Sequence, residues 1–150
     1  MMSMIEMRKH VIELTKERNI RMRIGPVFRS AMATNDIEIT GLETEENYAA
    51  TLHEIGHQVL RNERKIPILA YFGYSPLTRK SEDYHAAVLR NENQAWIWAK
   101  QNAIKWTERM HLEYIKSLTS YMVPVFGNGL DLLSVLNKAD INPKDFKFGN

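Results

Sequence analysis

The segment Leu52-His53-Glu54-Ile55-Gly56-His57 sits inside a stretch from Glu45 to Asn62 that contains no proline and one glycine, and reading that stretch as a helix decides the architecture. Thr44 precedes an acidic first turn, Glu45 and Glu46, which suits the positive end of a helix dipole. Ala49, Ala50, Leu52, Ile55, Val59 and Leu60 supply apolar surface for burial, and Gly56 leaves room for a neighbouring backbone at a cost of roughly 1 kcal/mol in helix propensity. Two histidines four apart on a helix project from one face, so His53 and His57 can offer ring nitrogens to a single cation about 2 Å away. Glu54 is placed to accept a proton from an attacking water and pass it to a leaving amine. With five histidines in 150 residues, a His-Glu-x-x-His pattern arises by chance in roughly 1% of such sequences. The competing reading is a solvated helix face or a decayed site.

Upstream, Ile5, Val11, Ile12 and Leu14 recur at loose helical spacing, and a first helix is expected from Met4 to about Asn19. Ile20, Met22 and Ile24 then alternate with Arg21 and Arg23, and Ile37 and Ile39 flank Glu38. This period-2 pattern, with Val27-Phe28 between and a turn at Asn35-Asp36, predicts two or three short antiparallel strands. The expected fold class is α+β: mostly helical, with a small antiparallel sheet.

Downstream, residues 63–80 hold Pro67, Gly73 and Pro76 among aromatics and read as an irregular connection, a candidate cleft wall. From Ser81 to about Leu118 there is neither proline nor glycine, which predicts one long helix or two nearly continuous ones. A short helix is expected around Leu130–Lys138, after a Gly127-Asn128-Gly129 turn, with a tail to residue 150. The parts make a single domain: 1–43, 45–62, 63–80, 81–118 and 124–150.

A catalytic metal site needs a third protein ligand and a position left open. Along the long helix, His85, Leu89, Glu92, Trp96, Ala99, Ala103, Trp106 and Met110 form a stripe that is apolar apart from His85 and Glu92. A carboxylate on a packing face needs a partner, and a divalent cation is one. A salt bridge to an arginine such as Arg61, or exposure on a rotated helix, is the alternative for Glu92. His85 lies about 10 Å along the axis from Glu92, too far for both to ligate one ion. His85 or Tyr84 is therefore a candidate proton donor or oxyanion stabiliser, with a plain surface histidine as the alternative. His10 and His111 lack paired spacing and read as structural or surface residues.

Composition narrows the chemistry. The chain has 44% apolar and 25% charged residues, the balance of a soluble globular protein. Without cysteine there is no disulfide and no thiolate zinc site, so a metal must be held by histidine and carboxylate. Basic residues are dispersed and the net charge is only +2, so nucleic-acid binding is not indicated. No run has the length of a signal peptide core or membrane span, which predicts a cytoplasmic protein without membrane contact.

Two places, Leu52-His53-Glu54-Ile55-Gly56-His57 and Glu92-Asn93-Gln94-Ala95-Trp96-Ile97-Trp98-Ala99, resemble the ImmA/IrrE-type metallopeptidases, a gluzincin-like group. In that family the second segment reads Glu, two residues, Ala, two residues, an aromatic and Ala, with the Glu as third zinc ligand. The resemblance implies a minimal zincin-like metallopeptidase domain with Zn2+ on His53, His57 and Glu92 and with Glu54 as general base. It also implies a protein or peptide substrate, such as a repressor- or antitoxin-like regulator of a phage or mobile element. The family's Leu-Leu-Met-Pro-like continuation is replaced here by Lys100-Gln101-Asn102-Ala103-Ile104-Lys105-Trp106. Two other functions compete: a non-catalytic protein-binding module, zinc-containing or metal-free, and a zinc hydrolase acting on a non-peptide bond. Oligomeric state is not legible.

Overall fold

A computed structural model describes residues 2–31, 34–64 and 81–149. Helix α1 (Met4–Glu17) starts at Ser3, whose hydroxyl accepts the Glu6 N–H, and buries Met7, Val11 and Leu14, one residue per turn. Three short strands follow, β1 (Arg21–Ile24), β2 (Arg29–Ala31) and β3 (Asp36–Ile39), and then helix α2 (Glu45–Arg64). Residues 65–80, where the irregular connection was expected, lie outside the described residues. Helices α3 (Glu82–Asn102), α4 (Glu108–Gly127) and α5 (Leu132–Lys138) and a 3-10 turn (Pro143–Phe146) complete the order. The fold is α+β and mostly helical. Among the described residues no helix is long and apolar enough to cross a membrane.

The sheet corrects the expectation of purely antiparallel pairing. Its order is β1-β3-β2, with β1 parallel and β2 antiparallel to the central β3. A parallel pair needs a long crossover, and residues 25–35, with β2 folded inside them, provide it. The Glu38 side chain gathers this crossover: its carboxylate accepts the Val27 N–H and the guanidiniums of Arg23 and Arg29. A side chain at position 25 would displace the Glu38 carboxylate from these partners, because a Cβ there would lie 2.2 Å from Glu38 Oε2. On the other face of β3, Ile37 and Ile39 are fully buried in the core with Val11, Leu52 and Ile55.

Of the two expectations for 81–118, one long helix or two nearly continuous ones, the structure shows the second, and the later helix runs further than expected. Ala103 adopts an extended conformation and ends α3, and the Thr107 hydroxyl caps α4 by accepting the Met110 N–H. No proline or glycine causes this break; contacts with the start of α2 hold it. The Tyr48 hydroxyl accepts the Ile104 N–H, and the Thr107 hydroxyl donates to Glu45 Oε1 at 2.6 Å. Beyond Leu118, α4 continues through Pro124 and stops where Gly129 takes a φ of +69°. The Leu130 N–H then bonds back to the Val125 carbonyl.

Helices α2 and α3 pack closely because of Gly56. A Cβ at that position would stand 2.8 Å from the Ala95 carbonyl oxygen, so the backbones meet with no side chain between them. That approach brings Glu92, one turn before Ala95, opposite His53 and His57.

Candidate metal centre

His53, Glu54 and His57 lie in the buried middle of α2, and Glu92 lies on the buried face of α3. The Nε2 atoms of both imidazoles converge on one carboxylate oxygen: Glu92 Oε2 is 2.7 Å from His53 Nε2 and 3.1 Å from His57 Nε2. One nitrogen or oxygen from each of these three residues falls within 4.8 Å of the others, an arrangement that could hold a metal ion. Glu92 thus faces the two histidines, whereas Arg61 donates to Asn62 Oδ1.

The electrostatics follow from that convergence. Burial disfavours a charged imidazole, but the Glu92 carboxylate, aided by hydrogen bonds to Glu54 and Glu92, raises the His53 pKa to about 9. Burial likewise works to raise the Glu92 pKa, yet the charges of His57 and His53 and their hydrogen bonds hold it well below the carboxylate range. Glu54 follows the same pattern: burial raises its pKa, and a hydrogen bond with His53, the charges of both histidines and the Ser30 hydroxyl bring it below normal. A positive charge is therefore favoured among these carboxylates. A proton supplies it here, and a cation at the same place would replace that proton.

Packing fixes the rings. The indole of Trp96 stacks on His53 with centroids 4.4 Å apart and 15° between planes, and its Nε1 donates to Ser117 Oγ on α4. Ser30 on β2 reaches Glu54, with its Oγ 2.9 Å from Oε2 and 2.7 Å from the Glu54 backbone oxygen.

A cavity of about 260 Å3 opens over Glu54, His57 and Glu92, walled by Phe28, Arg29 and Ser30 on one side and by Tyr121 of α4 on the other. A larger cleft of about 450 Å3 borders Trp96, Trp106 and Tyr114, but none of the three converging side chains lines it. The smaller cavity is the one with acid–base groups in place. His85 and Tyr84 do not line it; His85 Nε2 instead sits 3.4 Å from Asn128 Nδ2. The distance of two helical turns from Glu92 explains this. His10 contacts the Tyr48 hydroxyl at 2.6 Å, and His111 is buried among aromatics of α4 and the C-terminal turn.

Ser30 and Tyr121 are cavity residues that the sequence did not single out. A polar residue on the core side of a strand is the signal for Ser30, but three residues of β2 are too few to phase an alternation. Tyr121 lies in the part of α4 beyond Leu118, masked by the helix-ending expectation that Pro124 creates.

Neither a family model, nor a curated protein, nor a solved structure matches the chain.

Proposed function

We propose that the protein is a zinc-dependent peptidase of zincin-like design acting on a protein substrate. The observation that carries the reading is the convergence of His53 Nε2, His57 Nε2 and Glu92 Oε2, with His57, Glu92 and the neighbouring Glu54 lining a cavity. The donor set of two imidazoles and one carboxylate suits Zn2+, and ligand atoms around a tetrahedral ion stand about 3.3 Å apart. The observed 2.7 and 3.1 Å lie slightly inside that spacing, so small side-chain rotations would accommodate the ion.

Zinc, when bound, supplies Lewis acidity toward water and a carbonyl oxygen. The chain's own residues do the rest. Glu54, kept ionised by its neighbours, takes a proton from water entering the cavity and returns it to the departing amine. Tyr121, on the opposite wall, would donate a hydrogen bond where charge develops on the substrate oxygen, the role expected of His85 or Tyr84 from the sequence. Trp96 keeps His53 in plane and excludes water behind it. The resemblance in sequence extends the proposal to a regulatory, repressor- or antitoxin-like protein as substrate.

Elemental analysis of chelated and zinc-reloaded wild type, His57→Ala and Glu92→Ala tests the site. About one zinc per wild-type chain, lost from both variants, is the expected result. Reloaded wild type without zinc would overturn the proposal and favour a metal-free protein-binding module. With zinc bound, Glu54→Gln should keep the metal and lose about 100-fold or more in turnover.

A further inference from the structure

Glu54 is the one carboxylate at the centre that does not face both imidazoles, and its side chain is held from a different layer of the fold. Strand β2 is an edge strand in which Ser30 pairs with Ile37 of β3. Arg29, its neighbour, turns to the other face and meets Glu38. Ser30 therefore points from the sheet toward α2, into the wall of the cavity. Its single hydroxyl proton has two acceptors within reach, Glu54 Oε2 at 2.9 Å and the Glu54 backbone oxygen at 2.7 Å. The backbone oxygen already lies within the helix ladder, whereas the buried carboxylate is charged and gains more from a donor. The other carboxylate oxygen, Oε1, lies 3.5 Å from His53 Nδ1, a looser contact.

We propose that Ser30 is a positioning residue for Glu54: its hydroxyl ties Oε2 to the sheet edge and so holds the carboxylate in one place at the cavity wall. This rests on the peptidase reading and adds to it the element that aims the base. The side chain of a glutamate has three rotatable bonds, and proton transfer needs the acceptor within about 2.6–3.2 Å of its target, so an untethered carboxylate would spend much of its time misplaced. The serine removes that freedom by acting on the carboxylate of Glu54. Threonine at the same place keeps the hydroxyl; alanine does not.

The role can be read without knowing the substrate. Acetohydroxamate chelates an active-site zinc through two oxygens and hydrogen-bonds to the neighbouring carboxylate, so its affinity reports where that carboxylate stands. Calorimetric titration of acetohydroxamate would be run on zinc-loaded wild type, Ser30→Ala, Ser30→Thr, Glu54→Ala and the Ser30→Ala/Glu54→Ala double variant. Zinc content would be measured on each sample. The expected result is unchanged zinc content, affinity about tenfold weaker in Ser30→Ala, recovery in Ser30→Thr, and no further loss when Ser30→Ala is added to Glu54→Ala. Equal affinity in wild type and Ser30→Ala would overturn the proposal, and so would a loss of the same size with or without Glu54, since Ser30 would then act through something else. Wild type that holds no zinc, or holds it without binding acetohydroxamate, would instead remove the peptidase reading itself and this inference with it.

Discussion

Two sites of buried histidine, one at His111 and one at His53 and His57, solve opposite problems. Both ring nitrogens of His111 have a partner: Trp106 Nε1 donates to His111 Nδ1, and His111 Nε2 donates to the Phe146 carbonyl. Tyr114 nearby donates to Asn93 Oδ1 at 2.6 Å. That set is complete with a neutral imidazole, and it joins α3, α4 and the C-terminal turn. Around Glu92, two imidazoles compete for a single carboxylate oxygen, and a second carboxylate stands beside them. The first cluster needs nothing added. The second is satisfied only when something positive is shared, and this difference separates a structural histidine from a ligand more surely than burial does, because both kinds are buried.

The sharpest way to break the contrast is to remove one acid. Glu92→Ala should weaken zinc binding by more than about 100-fold, beyond the 10–100-fold typical of groups that merely orient ligands. Competition with a chelator of known affinity would measure it. A graded effect comes from pH. The His53 pKa is raised to about 9, so between its ordinary value and about 9 a cation must displace that proton. Zinc affinity should therefore rise about tenfold per pH unit over that window and level off above it. Over the same window the metal-free protein should lose stability, because the His53–Glu92 pairing is fully present below pH 6.5 and disappears as pH rises through about 9. Thermal melts of the metal-free protein from pH 6 to 9 would check the sign. Gly56→Ala should act more modestly, pushing α3 from α2 at the Ala95 carbonyl, with a cost of about 1–3 kcal/mol and zinc binding weakened several-fold. His111→Phe sets the baseline: zinc affinity unchanged, and stability lowered by about 1–3 kcal/mol as Trp106 and the Phe146 carbonyl lose their partner.

What could be read in advance divides along the same physical line. Helices α1 and α2 were legible because their signals are local: apolar residues at helical spacing in α1, and in α2 Thr44 before an acidic first turn with apolar residues along the segment. Glu92 was legible because a lone carboxylate on an apolar stripe asks for a partner. The break at Ala103–Thr107 was not, since Tyr48 and Glu45 hold it from more than fifty residues away, and no local residue there forbids a helix. The sheet misled for a similar reason. Alternation in Ile20–Ile24 and Ile37–Ile39 predicts strands, but the sense of their pairing depends on Glu38 collecting Val27, Arg23 and Arg29. Ser30 and Tyr121 remained hidden because what matters about them is the wall they share with Glu54.

The order of strands also bears on how the chain comes together in time. β2, β3 and α2 follow one another directly, and the Ser30–Glu54 link closes over only 24 residues. The two contacts of Glu92 with α2 span 39 and 35 residues. Short loops close before long ones at lower entropic cost. The hairpin and the helix that bear the base and two imidazoles can thus assemble as one early unit, and α3 completes the cluster when it docks against Gly56.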